Sequence, residues 1–580
     1  MEQELSIITE RIDDVPLLLK QLETMQLSRL YDEHFPRHGH WQGLSPGEVV
    51  SGWLSFILSE SNHRLSHVQT WAAERLRVLS ACLGSPVREL DFGDDRLGRV
   101  LDQLGDDGRW SRFEASLNRH TLRVYDLSAE RVRIDSTSAK SYARIDSEGL
   151  LQLGHSKDRR PDLAQVKINL SVLDPLGLPL TTTVVSGDRA DDRLYVAEIT
   201  RVRQSVQRRG VTYIGDCKMA ALATRAEVVN GDDYYLCPLS ALQLSSAARE
   251  QILTPVWTGE QALEVVYRIA PDGEHAEEIA EGFVYETTPS AVLDHRELSW
   301  IERRFVVRSF KLAASQERHL HQRLENACTA IRQLNERGRG KKRYRDEASL
   351  SQAVEALTAK HQVSGLLQTT YHCQSQARTV RAYGGQGERV ELAPEVRVEV
   401  SVDETARATA VRSFGWHVYA SNHPHTGLSL SQAVLAYRSE YLVERGFARF
   451  KGDRLVLTPM YLESDTRITG LIRLLSLALR VLTLIEFKAR QSLQQQGQAL
   501  AGLYPGNPKR ATTQPTTEML LRAFVGLTLT VLIQAGQSQR HITALKPVQQ
   551  RVLLLLDFSE AIYQNLAQQL FEPLMHLREP

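Results

Sequence analysis

Between residues 130 and 240 the chain alternates β-rich runs with helical periodicity, and this alternation restricts the fold more than any other feature. "RVRIDS", "QVKINLSVLD" and "LPLTTTVVS" are runs of β-branched and apolar residues separated by Gly, Pro and Asp turn signals, and "DPLGLP" reads as the turn of a hairpin. "DDRLYVAEITRVRQSVQRRG" carries apolar residues at helical spacing and stops at Gly210. "VTYIGDC" then reads as a buried strand, "KMAALATRAEVV" as a helix and "DYYLCPL" as a strand. The order β-β-β-α-β-α-β predicts an α/β core.

At 580 residues the chain exceeds one hydrophobic core. Short helices joined by turns predict a helical N-terminal domain over 1–125. The core begins over 126–240. Strand-like runs around two helical segments, near 312–337 and 346–362, mark 241–410 as an inserted module. "GWHVYASN" and "LSQAVLAYRSEYLVERGFARFKG" resume the core over 411–500, and 501–580 reads as a helical C-terminal region. With these flanks the expected class is mixed α+β.

Formal net charge is zero, so any nucleic-acid footprint has to be local. From Trp300 to Arg345 there are 13 Lys/Arg against 4 Asp/Glu, the main basic excess. Five dispersed cysteines form no C-x-x-C, which points away from a disulfide framework or zinc ribbon and toward a reducing cytoplasm. "MEQELSIITERIDD" is acidic and has no apolar stretch of the signal-peptide kind. The apolar run Ile468 to Phe487 contains Arg473 and Arg480, seven residues apart, which favours a buried helix with one polar stripe over a membrane span.

Asp135 and Asp216 share one context, the end of a β-rich run: "RVRID" and "VTYIGD". On neighbouring strands they would project from one sheet edge, where a divalent cation could bind. Singly, each reads equally as an aspartate starting a turn. Ser136, Thr137 and Ser138 fit that turn. In "YRSEYLVERGFARFKG", Tyr437, Glu440, Glu444 and Lys451 are spaced three, four and seven apart and share one helix face. A solvated face with i,i+4 charges is the plain reading. Flanking Tyr441, Phe447 and Ala448, with Arg438, Arg445 and Arg449 on another side, favour a site.

These blocks resemble the DDE transposases of bacterial insertion sequences that carry a Y-(2)-R-(3)-E-(6)-K signature and an insertion before the Glu. Tyr437, Glu444 and Lys451 fall on its Tyr, Glu and Lys, and Glu440 stands at its Arg position with Arg438 two residues earlier. "DSTSAK", "GHSKDRRPDLAQVKINLSVLDPLGLPL", "YIGDCKMA" and "GWHVYASN" resemble the flanking blocks, over about 130–500. The resemblance implies a ribonuclease H-like core in which Asp135, Asp216 and Glu444 are catalytic and hold two Mg²⁺ ions, with Mn²⁺ able to substitute. Asp135 would bridge the ions. Lys451 would contact a DNA phosphate, and Tyr437 a phosphate or base near the cleaved end. The implied activity is cleavage at the element's ends and strand transfer to target DNA, by a homodimer in the nucleoid-associated cytoplasm. A nuclease without strand transfer, an inactive DNA-binding descendant and a helical scaffold with accidental acids are the competing readings.

Other candidates for DNA contact are basic. Lys341, Lys342 and Arg343 lie in "ERGRGKKRYRDE", and Lys509 and Arg510 precede a helix expected near Pro515. Lys140 and Lys218 read equally as surface lysines. Trp257, Trp300 and Trp416 are either platforms for a flipped base or core residues. The His-x-His pairs lack further nearby ligands, so no zinc is assigned.

Overall fold

The computed structural model describes all residues except 1–4, 38, 147, 155, 158, 191–193, 270–274, 294, 339–341, 381–386, 388, 535–536 and 569–580. The chain divides into two compact units. One contains Met1–Cys237, Pro289–Trp300 and Ala436–Pro580, and the other contains Pro238–Thr288 and Ile301–Leu435.

In the first unit five strands form the core: β1 (Arg131–Ser141), β2 (Ala164–Leu173), β3 (Leu178–Ser186), β4 (Thr212–Ile214) and β5 (Tyr234–Pro238). They lie in the order β3-β2-β1-β4-β5. β1 to β3 are antiparallel neighbours, while β4 runs parallel to β1 and β5 parallel to β4. Three antiparallel strands followed by two parallel ones make the mixed α/β core that the alternation of strand and helix patterns predicts. Every residue of β2 is buried, as befits a strand covered on both faces.

The helix Asp465–Gln496 is long and apolar enough by composition to cross a membrane, yet most of it is buried inside this unit. Two of its arginines, Arg473 and Arg480, account for the polar stripe of the apolar run. Arg480 bonds the carbonyls of Pro179 at 2.9 Å and Leu180 at 3.0 Å and pairs with Glu114 at 2.6 Å. Arg473 bonds the Leu104 carbonyl at 2.8 Å and pairs with Asp107. Both guanidiniums thus reach the strand-end and helix-end carbonyls that burial would otherwise leave unpaired.

The helical expectation for both chain ends is incomplete. Ser6–Arg11 pairs antiparallel with Thr528–Gln534, which pairs with Gln537–Ile542. In "TLTVLIQ" Leu529 and Val531 are buried and alternate with half-exposed threonines, a period of two that selects a strand. Elsewhere the N-terminal region is helical. Pro46–Glu60, for example, begins with a capping box in which the Ser45 hydroxyl accepts from Glu48 N and Glu48 accepts from Ser45 N.

The second unit holds four antiparallel strands, in the order Trp416–Ser421, Glu302–Ser309, Ala276–Thr287 and Glu264–Ile269. It also contains the helices Phe310–Gln333 and Glu347–Lys360 and a two-stranded hairpin, Leu367–Val380 with Arg389–Val402.

Candidate active site

The parallel pairing of β1 and β4 ends at Arg133 opposite Ile214, after Arg131 opposite Thr212 and Val132 opposite Tyr213. Two residues further along each chain come Asp135 and Asp216. The register therefore brings the two aspartates level, at the edge where β4 stops and β1 continues alone with β2. The reading of Asp135 as the start of a turn needs correction. Asp135 pairs with Leu170, and Ser136, Thr137 and Ser138 continue the strand opposite Asn169, Ile168 and Lys167. Antiparallel pairing with β2 satisfies their backbone groups, so the hydroxyls lie within a strand and shape no turn.

Asp135 Oδ1 accepts from Ser136 N at 2.7 Å and from Lys157 Nζ at 3.3 Å. Burial raises the Asp135 pKa, Lys157 opposes that, and Asp216 adds to it. Asp216 Oδ1 accepts from the Tyr195 hydroxyl at 2.7 Å and from Lys218 N at 2.9 Å. Tyr195 lies on the helix Leu194–Val206, and its buried phenol is pushed well above its usual pKa by burial and then by the Asp216 charge. Gly215 permits this contact, because a Cβ there would meet Met219 Sδ at 2.7 Å and Tyr195 Cε1 at 2.9 Å.

The third element is two helices where the sequence predicts one. Leu430–Arg438 ends, and Tyr441–Lys451 begins after Ser439 and Glu440. Arg133 gives the physical reason. Its buried guanidinium pairs with Asp174 at 2.8 Å and donates to the carbonyl of Ala436, the oxygen that a continuous helix would offer to Glu440 N. Glu440 N turns to Tyr437 O instead, at 3.2 Å. Glu440 thereby stays beside the aspartates. Its pKa is raised by burial first and then by the charges of Asp135, Glu444 and Asp216.

One pocket is lined by Arg133, Ile134, Asp135, Ile214, Gly215, Asp216, Tyr437, Glu440 and Val443. It brings together four of the residues singled out by sequence, Asp135, Asp216, Tyr437 and Glu440. Glu444, one helical turn beyond Glu440, is exposed, and Arg438 and Lys451 are half-buried; none of the three lines the pocket. Sequence reasoning missed Arg133, Lys157 and Tyr195. Lys157 sits in the quoted "GHSKDRRPDL" block, whereas nothing local marks Tyr195.

The basic candidates are dispersed. Lys341 lies outside the described residues. Exposed Lys342 stands over the buried ring of Tyr344 at 5.0 Å, and Arg343 is exposed. Lys509 and Arg510 are exposed, with Arg510 stacked 4.1 Å from the Tyr504 ring, and the following helix is short, Thr517–Arg522. Trp300 and Trp416 are core residues whose indoles donate to Tyr235 Oη at 2.8 Å and Arg412 O at 3.1 Å. Trp257 stacks on Arg412 at 4.2 Å.

The donors around the pocket are carboxylate oxygens, the chemistry that Mg²⁺ and Mn²⁺ take. Burial first, and then the charges of neighbouring carboxylates, raise the pKa values of Asp135 and Glu440, so acidic groups share this edge. Among the described residues no three Asp, Glu, His or Cys side chains form a ready-made cage. The fit is therefore of donor type at an open edge.

Fold and site define a mixed α/β protein with paired aspartates and a glutamate-bearing helix at one sheet edge. Residues 7–115 match a domain of unknown function, DUF4277. No curated protein matches the chain. Among solved structures, a piggyBac transposase synaptic complex with hairpin DNA is similar at 10% identity with a TM-score of 0.24. That match covers 51% of this chain and 62% of the other, so the chain spans about three fifths of that protein's length.

Proposed function

We propose that the chain is a DDE transposase that cleaves double-stranded DNA at the ends of its insertion sequence and transfers the strands to target DNA. The observation that carries this reading is the level placement of Asp135 and Asp216 beside the helix bearing Glu440 and Glu444. Asp135, Asp216 and Glu444 would hold the metal. Mg²⁺, or Mn²⁺ in its place, would supply activation of the attacking oxygen and stabilisation of the leaving one.

The chain's own residues position the chemistry. Tyr195 and the Lys218 N–H fix the Asp216 carboxylate by donating to Oδ1. Arg133 holds the helix break that turns Tyr437 and Glu440 to the pocket. Tyr437 would touch the DNA beside the cleaved phosphate, and Lys451 and Arg438 would follow the backbone outward. Lys341, Lys342, Arg343, Lys509 and Arg510 would add phosphate contacts without sequence choice. A homodimer would hold the two inverted repeats, within the nucleoid-associated cytoplasm. Incubation with DNA carrying the repeats that flank the gene, in Mg²⁺ and in EDTA, tests the reading. Metal-dependent nicking and joined products support it, and cleavage without joining indicates a nuclease.

A further inference from the structure

Lys157 is the one lysine whose ammonium touches a carboxylate of the pocket among the contacts described above. It reaches Asp135 from the 22-residue connection between β1 and β2, and two anchors hold it there. Its backbone N–H donates to Ser138 Oγ at 3.1 Å, and its ammonium donates to the Ser136 carbonyl and to Ser136 Oγ at 3.2 Å. The third proton goes to Asp135 Oδ1 at 3.3 Å.

These bonds are unequal. A charge-assisted N–H···O⁻ bond between free partners closes to about 2.7–2.9 Å; the contacts to Asp135 Oδ1 at 3.3 Å and to Ser136 Oγ at 3.2 Å are both longer, and the Ser136 carbonyl is the close anchor of the ammonium. The side chain is also 38% exposed while Asp135 is 21% exposed, so the ammonium stands on the open side of the carboxylate. A permanent counter-ion would be expected deeper and tighter. A cation tethered to the backbone, loosely paired and open to solvent can exchange its one anionic partner.

We propose that Lys157 is a catalytic residue: once a divalent cation neutralises Asp135, the Lys157 ammonium, still held by Ser136, turns to a non-bridging oxygen of the DNA phosphate under attack. This rests on the proposed transposase reading of the site. The contact places a fixed positive charge where phosphoryl transfer develops negative charge. It also distinguishes Lys157 from Lys451, which lies at the far end of its helix.

The test measures DNA binding by fluorescence anisotropy over a salt series. It uses the full chain and a duplex carrying the flanking inverted repeat, in Ca²⁺ and in EDTA, with gels to verify that the duplex stays uncut. Each phosphate contact contributes a slope of about 0.9 in log K against log salt. Lys157→Met is expected to lower the slope by about that amount and weaken binding at least roughly fivefold in Ca²⁺, with much smaller changes in EDTA. Lys157→Arg is expected to keep the slope, and Lys157→Gln serves if the Met variant does not fold. Equal slopes for the wild type and the neutral variant in Ca²⁺ would show a plain counter-ion and overturn the inference alone. A wild type that binds no DNA under either condition would overturn the proposed function, and this inference with it.

Discussion

Tyr195 donates its phenolic proton to Asp216 Oδ1 at 2.7 Å, so a residue on a helix joins the adjacent Lys218 N–H in fixing the second aspartate. A hydrogen bond to a charged group contributes about 1.5–3 kcal/mol. Tyr195→Phe is therefore expected to lower cleavage by about ten- to a hundredfold while the chain remains folded. Calorimetry with Mn²⁺ checks the cause, since the variant should also bind the ion more weakly. Unchanged cleavage would show that Asp216 needs no orientation.

Glu440 and Glu444 stand one turn apart, and only Glu440 lines the pocket. With Glu444 as the third ligand, Glu444→Gln is expected to reduce cleavage more than about a hundredfold, the scale of removing a metal-binding group. Glu440→Gln should retain a measurable share. Rates of nicking in Mg²⁺ decide this, and the reverse ranking would move the ligand role to Glu440.

Arg133 is buried against Asp174 and the Ala436 carbonyl. Breaking a buried ion pair on one side costs about 3–5 kcal/mol. Arg133→Met is expected to lower stability on that scale in urea unfolding and to let the helix extend through Ser439. A loss below about 1 kcal/mol would show that the helix break is set elsewhere.

Asp14 tests the electrostatics away from the site. It is buried, accepts from Ser59 Oγ at 2.6 Å, and has its pKa raised from 3.8 to about 6, chiefly by burial. A raised carboxyl pKa means that the folded chain binds the proton more tightly than the unfolded one. The stability this provides is present below about pH 4 and lost as pH rises through 6. Asp14→Asn should therefore stabilise the protein above pH 7, by at most about 3 kcal/mol, with the gain fading toward pH 4. Thermal melts at several pH values check the trend, and a pH-independent difference would contradict it.

The core was legible because its strands repeat with clear periods and because Asp135 and Asp216 each follow a similar β-rich run. Their level placement was not legible, since it depends on β4 lying next to β1, and no local signal fixes that register. Arg133 shows the limit most plainly. It reads as one charge in an alternating strand, yet its contact with Ala436, some three hundred residues away, breaks the predicted helix and turns Glu440 to the pocket. The strand at Ser6–Arg11 was hidden for the same reason, because its partner begins at Thr528.

The central claim is that Asp135 and Asp216 form one metal-dependent cleavage site. The most direct measurement is strand cleavage of duplex DNA carrying the flanking inverted repeats, with Mg²⁺ and with EDTA, for the wild type and for Asp135→Asn and Asp216→Asn. The expected result is cleavage by the wild type in Mg²⁺ alone and none by either folded variant. Cleavage that persists in EDTA, or in either variant, would contradict it.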